Sequence, residues 1–434
     1  LVRSRGLGDV YKRQSIRNLK RFVTDRVDPS VFKPEKSILD EEEIKKVAVV
    51  GAGPAGLSAA HYLSLKGYKV TIFDAEEKPG GLLLKGIPSY RLPRDVLNRD
   101  IESLMNENIT FKGKTFFGTD ITVKSLFDTG FNAVFIAIGS HQSLRLKIDG
   151  EDFEGVYPSM YFLRGHNLEN KNLAKGNVGV IGGGNSAIDA ARIAIRQEGV
   201  ESVKIFYRRT RNEMPAIDEE IEAALEEGVK LETLISPERI VSENGRLKQV
   251  EFIRNILGES DKSGRRRPLP VIGSDHLVEI DTLIVAISEE PDKSAIAQDG
   301  LELTDWGTVK IDADTLATSI PGVFAGGDVV TGPNTVVDAI AAGKNAALTI
   351  ERYLCGRDLR QTPQVNLPEI YIPQAIVDEE EETVEFHRPE TPSVEVELRR
   401  KSFMEVEKSL SVENAEREAR RCLRCDLEFT QKKI

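Results

Sequence analysis

Two glycine-rich turns, each set between an apolar strand and an alanine-rich helix, constrain this chain more than any other feature. In KKVAVVGAGPAGLSAAHYLSLKGYKVTIFD an apolar run meets Gly51, Gly53 and Gly56, passes into a helix and ends in a second apolar strand. In GNVGVIGGGNSAIDAARIAIRQEGVESVKIFYRR the same order recurs around Gly182, Gly184 and Ala187. An apolar run without alternation reads as a strand buried on both faces, and strand–turn–helix–strand units join parallel strands. The expected fold class is α/β, with two Rossmann-like dinucleotide-binding domains. FNAVFIAIGS and VEIDTLIVAIS read as matched closing strands. GVFAGGDVVTGPNTVVDAIAAGKNAALTIERYL adds a strand, an acidic loop and a helix beginning near Thr335, and belongs with the first unit.

The first turn, with Pro54 and Ala55 between its glycines, offers a tight bend, close backbone approach and a helix N-terminus to a diphosphate. Asp74 ends the next strand, where a carboxylate accepts ribose hydroxyls. Gly327 and Asp328 form a second acidic loop, and a helix N-terminus at Thr335 and Val336 is suited to the N1/O2 edge of a flavin, so FAD is the expected occupant. The second turn, with Asn185 and Ser186 before Ala187, expects a nicotinamide nucleotide. No acidic residue closes the following strand. Arg208, Arg209 and Arg211 stand there instead, which favours a 2′-phosphate and hence NADPH over NADH.

Composition narrows the partners. A net charge of -11 and a pI near 5.3 exclude a nucleic-acid partner, which would need clustered Lys and Arg. No run approaches the roughly 18 apolar residues of a membrane span. Three cysteines make no disulfide framework, so a cytoplasmic location is expected. Residues 1–14 read as a leader foreign to the fold, and residues 15–40 as a short helix leading into a linker. The FAD-binding domain is expected over 41–150 and 291–356, with the NAD(P)H-binding domain inserted over 151–290. Residues 357–434, rich in Pro and acidic groups before a helical stretch from about Ser411, read as an extended linker and a Cys-containing helix.

GAGPAGL, GGLLLKGIPSYRLP, GGGNSAIDAAR, YRRTRNEMPA and GVFAGGDVVTGPNTVVDAIAAGKNAA together resemble the glutamate synthase small subunit and its relatives over residues 15–355. Those relatives include the flavin half of dihydropyrimidine dehydrogenase and the large subunit of NADH-dependent ferredoxin:NADP oxidoreductase. The resemblance implies hydride transfer from a nicotinamide to FAD and electrons leaving through iron–sulfur clusters to a partner subunit or ferredoxin-like acceptor, within a hetero-oligomer. It makes residues 15–40 the end of a helical iron–sulfur domain, places Gly81 beside FAD and makes Ile87, Tyr90 and Arg91 candidates to line the flavin or nicotinamide face. Ile138 and Ser288 depart from the family pattern at the closing turns, so neither is expected to bind.

Two other readings stand beside this one. A disulfide reductase would need a thiol pair at the flavin, yet residues 176–288 contain no cysteine. A non-catalytic nucleotide-binding assembly subunit would keep the turns and lack an electron exit. Cys422 and Cys425, in EREARRCLRCD, share one helical face and suggest half of a [4Fe-4S] site completed by other residues, a zinc shared with a partner, or an exposed tail.

Overall fold

The computed structural model describes residues 14–28, 37, 44–260, 264–360 and 388–422. Along the chain, β1 (Lys46–Val50), β2 (Lys69–Phe73), β3 (Ile109–Lys112) and β4 (Ala133–Ile136) come first, and β5 (Gln142–Ser143) leads onward. Then follow β6 (Val156–Pro158), β7 (Gly176–Ile181), β8 (Val200–Tyr207) and β9 (Lys230–Thr233). Next come β10 (Ile235–Glu243), β11 (Arg246–Ser260), β12 (Arg266–Pro270) and β13 (His276–Glu279). β14 (Thr282–Val285), β15 (Glu289–Glu290) and β16 (Val323–Ala325) complete the set.

Two parallel five-stranded sheets result, in the orders β16-β4-β1-β2-β3 and β6-β14-β7-β8-β9. In the first, Val47 of β1 lies between Val70 of β2 and Ala133 of β4, so the apolar runs interleave as central strands. β4 and β14 hold the closing positions expected of them, and β16 returns to the first sheet. The two chain crossings between the sheets run antiparallel, with Glu289 opposite Ser143 and Glu290 opposite Gln142. β10 to β13 form an antiparallel layer not anticipated above. Its signal was present: Asn244 and Gly245, at φ 53° and 80°, make the left-handed pair that a two-residue hairpin requires.

The helix Pro54–Leu65 is buried along most of its length, from Ala55 to Ala60 and at Leu63 and Ser64. It lies against the helix Val336–Leu354, to which Ser58 donates through Oγ to the Ile340 carbonyl at 2.8 Å. Its small residues permit that approach and fill the core that Val47, Val49, Ile72 and Phe135 supply from the sheet. Apolar area removed from water in this way, at about 25 cal/mol per Å2, dominates what holds such a layer together.

The chain divides into two compact units, one of Pro34–Gln361 with Val396–Met404 and one of Leu1–Lys33 with Thr362–Glu395 and Glu405–Ile434. Both sheets belong to the first. Among the described residues of the second, the helices Ile16–Thr24 and Val412–Arg420 are joined by polar contacts. Gln14 Nε2 donates to the Glu418 carbonyl at 2.9 Å, and the buried Glu418 carboxylate accepts from the Ser15 amide and from Arg421 at 2.6 Å. Asn18 Nδ2 donates to Thr391 Oγ1 at 2.7 Å. Of the apolar residues at helical spacing in the first of these helices, Leu19 and Phe22 are half-buried while Ile16 and Val23 are exposed, and the polar Ser15 and Asn18 are buried. Among the described residues no helix is long and apolar enough to cross a membrane.

Candidate functional site

Both glycine turns are built the same way. Gly51, at φ +108°, sits where a Cβ would overlap the Ala137 carbonyl, and Gly182, at φ +147°, sits where one would overlap the Ala286 carbonyl. The residue just past each closing strand thus presses its carbonyl onto the first glycine of the turn, which only glycine tolerates. Gly53 and Gly184 then lead into helices in extended conformation, and neither has a side chain to cap the first-turn amides. Those amides and the helix dipole are what an anionic diphosphate needs. Pro54 occupies the first turn without loss, because its missing N–H has no intrahelical partner there.

Around the first turn, the half-buried Asp74 carboxylate accepts from the Ala52 amide at 2.6 Å and the Glu76 amide at 2.8 Å. Burial pushes its pKa up, and those two amides work against the rise. Gly81 faces Gly53 so closely that a Cβ on it would come within 2.7 Å of the Gly53 Cα. The mouth of the turn is therefore a cradle that side chains would fill. Gly327, at φ +76°, precedes Asp328, whose carboxyl is pushed up to about 6, first by burial, with the Asn334 amide opposing and Glu289 and Asp338 adding to it. Ser140 Oγ donates to the Asp328 carbonyl at 2.8 Å, tying this loop to the closing turn of β4. Thr335 caps the helix Val336–Leu354 by accepting from the Asp338 amide at 3.2 Å, and Val336 is partly exposed at its start. The donor set, glycine cradle and uncapped helix fit a dinucleotide whose far end reaches Asp328.

Around the second turn, Asn185 Oδ1 accepts from the Ile217 amide at 3.1 Å, and Ala187 is buried beneath the turn. Arg208 is exposed at the end of β8. Arg209 is only 4% exposed and donates from Nε to the Arg266 carbonyl at 2.6 Å. Arg211 pairs with Asp218 at 2.7 Å and Glu222 at 3.0 Å. Arg208 and Arg209 thus differ in exposure, the first lying at the surface and the second buried.

Ile87, Tyr90 and Arg91 lie in a loop that reaches the second half of the molecule. Ile87 is half-buried, and its carbonyl accepts from Arg94 at 2.7 Å. Arg91 Nη1 meets both oxygens of Asp189 at 2.9 and 2.8 Å, and its Nε meets Glu220 at 3.0 Å. Tyr90 is fully buried beneath Arg192 and Arg196, whose guanidinium carbons lie 4.8 and 4.4 Å from its ring centre, and its hydroxyl has no hydrogen-bond partner among the described residues. Glu227, itself buried, accepts from both arginines. Burial raises its pKa, but those bonds outweigh burial and hold it below the usual carboxylate range. Asp189 is pushed up to about 6 by burial, against the pull of Arg91. Phe403 packs on this cluster, with its ring centre 6.5 Å from that of Tyr90 and 4.3 Å from that of His166. Sequence reasoning missed Asp189, Glu220 and Glu227 because their partners lie far along the chain, Asp189 standing 98 positions from Arg91, and because they sit in or at the end of ordinary-looking helices.

Cys422 is exposed at the end of the helix Val412–Arg420, and Cys425 lies outside the described residues. Among the described residues no group of three or more His, Cys, Asp or Glu side chains could hold a metal ion. Those residues do not by themselves make a cluster site. Cys355 lies with its Sγ 3.7 Å from the Tyr68 hydroxyl.

The sequence matches the family described as pyridine nucleotide-disulphide oxidoreductase over residues 45–343. It is 41% identical to the NADP(+)-dependent formate dehydrogenase subunit beta of Moorella thermoacetica, covering 96% of this chain and 62% of that protein. It is 38% identical to the NADPH-Fe(3+) oxidoreductase subunit beta of Geobacter sulfurreducens, covering 94% and 65%. The chain therefore spans less than two thirds of the length of these two relatives. To the glutamate synthase [NADPH] small chain of Escherichia coli it is 35% identical, covering 80% of this chain and 76% of that one. Among solved structures, Mycobacterium tuberculosis FprA in complex with NADPH superposes with a TM-score of 0.62 at 19% identity, over 72% of this chain and 85% of that one. Thioredoxin reductase of T. acidophilum superposes at 0.54 with 23% identity, over 72% and 99%. These two likenesses establish the shared fold of two Rossmann-like halves.

Proposed function

We propose, because this chain belongs to the pyridine nucleotide-disulphide oxidoreductase family, that it is the NADPH-oxidising FAD module of a larger redox enzyme, passing electrons on to a partner subunit or acceptor. The observation that carries this reading is the pair of matched turns, Gly51 to Gly56 and Gly182 to Ala187, each at the mouth of an uncapped helix and joined by two paired chain crossings. In this reading Gly51, Gly53, Pro54, Ala55, Gly56, Asp74 and Gly81 hold the adenine and diphosphate end of FAD. Gly327, Asp328, Thr335 and Val336 hold its flavin end. Bound FAD supplies two-electron acceptance and one-electron release. The protein's part is to orient the donor and exclude water, with the turn at Gly182, Gly184, Asn185, Ser186 and Ala187 taking the diphosphate and Arg208 the 2′-phosphate.

The relatives named as beta subunits or small chain support a partner subunit, and the acidic surface suits a protein partner. Cys422 and Cys425 belong to this proposal as contributors to a cluster that other residues would complete. Purified chain reconstituted with FAD should show a flavin spectrum that bleaches anaerobically on NADPH, and faster than on NADH. A chain that retains no flavin after reconstitution, or a bound flavin that NADPH leaves oxidised, would remove the reading.

A further inference from the structure

Glu289 is a half-buried carboxyl that the reading above does not use. It stands on β15, in the crossing that returns from the second sheet to the first, opposite Ser143 of β5. Its Oε1 accepts from the fully buried Ser159 hydroxyl at 3.4 Å, and its carboxylate also accepts from the Ser186 hydroxyl in the first turn of the helix Asn185–Ala194. Its neighbour Glu290 pairs with Lys293 at 2.5 Å, whereas Glu289 has hydroxyl partners and no cation among the described residues. Burial accordingly raises its pKa, and its charge reaches far enough to raise that of Asp328 as well.

That placement is specific. Ser186 belongs to the turn that takes the diphosphate of the nicotinamide nucleotide, and Asp328 to the loop at the flavin end. A nicotinamide ring that delivers hydride must lie between those two places, and Glu289 is linked to both. Two hydroxyl donors leave unused acceptor positions on a carboxyl with roughly four. A half-buried carboxyl without a cation is costly to the fold, and such groups concentrate at ligand sites.

We propose that Glu289 recognises the carboxamide of the nicotinamide, accepting its N–H and so fixing the ring's orientation, with Ser159 and Ser186 holding the carboxyl in place. The proposal rests on the NADPH reading of the second turn. It makes Glu289 a specificity residue for pyridines bearing a 3-carboxamide over those bearing a 3-acetyl group, which has no N–H to give.

The test uses the full chain loaded with FAD and titrates NADP+, 2′,5′-ADP and the 3-acetylpyridine analogue of NADP+, with dissociation constants from calorimetry. Glu289→Ala should weaken NADP+ about tenfold, the equivalent of one buried hydrogen bond, and leave 2′,5′-ADP unchanged. The unaltered chain should prefer NADP+ to the acetyl analogue, and the variant should lose that preference. Glu289→Gln, which keeps a carbonyl acceptor, should restore most of it. If Glu289→Ala weakens NADP+ and 2′,5′-ADP alike, the residue only supports its helix and the proposal is overturned. Unchanged NADP+ affinity overturns it equally. If the unaltered chain binds none of the three ligands, the underlying NADPH reading falls first, which separates the two failures.

Discussion

A tyrosine hydroxyl with no partner, sealed under two arginines, should not persist unless the ring itself is needed. Tyr90 supplies a fully buried aromatic face to Arg192 and Arg196, and cation–π contact of this kind is worth about 2 kcal/mol when desolvated. The ring is thus the reason for the residue, and the hydroxyl is a cost. Tyr90→Phe should keep the stability of the chain or raise it by about 1 kcal/mol, since it removes an orphaned polar atom. Tyr90→Ala should lose about 3–5 kcal/mol through the cavity it leaves. Urea unfolding of both variants checks this, and a Phe variant weaker than the parent by more than 1 kcal/mol would show that the hydroxyl has a partner after all. From the sequence, Tyr90 and Arg91 could be singled out only by the resemblance of their loop. Their partners at 189, 192, 196 and 220 lie 98 or more positions further along the chain, and no local spacing encodes that meeting.

At the level of elements, what periodicity could reveal was the pair of turns, because strand, glycine and helix follow one another within a few residues. The antiparallel layer was legible too, in the Asn244–Gly245 turn between alternating runs. What could not be read was how the loop of 80–93 docks on the helix Asn185–Ala194. That docking rests on Arg91 and Asp189, whose side chains are 22% and 6% exposed. Coulomb attraction between them must offset the desolvation of both, so removing either partner alone strands the other. Arg91→Ala should cost about 3 kcal/mol, and Asp189→Ala a similar amount, while the double variant should cost clearly less than the two together. A double-mutant cycle by denaturant unfolding that returns strict additivity would mean the pair is not coupled.

Over the whole molecule, the buried ionisable groups set opposing pH trends. His166, packed at a tilt against Phe403, has its pKa lowered from 6.5 to about 4 by burial and then by Arg94. The folded state therefore resists protonation there while the unfolded chain accepts it, so this group's contribution is present above pH 6.5 and is lost as pH falls towards 4. Asp189 and Asp328, each raised to about 6, act the other way: their contributions are present at low pH and are lost as pH rises through 6. The trends partly cancel in the parent, so the comparison with a variant is what resolves them. In His166→Phe, the fall in thermal midpoint between pH 6.5 and pH 4.5 should be smaller than in the parent; an equal or steeper fall would exclude His166 as its source.

The two crossings between the sheets are zipped to each other by β5 and β15, where Leu144 also donates to the Ser288 carbonyl at 2.9 Å. A single tether lets two bodies twist, swing and slide about one point. A pair of tethers laced side by side behaves as a strap: torsion about its long axis would shear its hydrogen bonds, and flexing across its width is the cheap freedom left. Any movement of one cofactor turn against the other that keeps the strap intact must therefore follow that single arc.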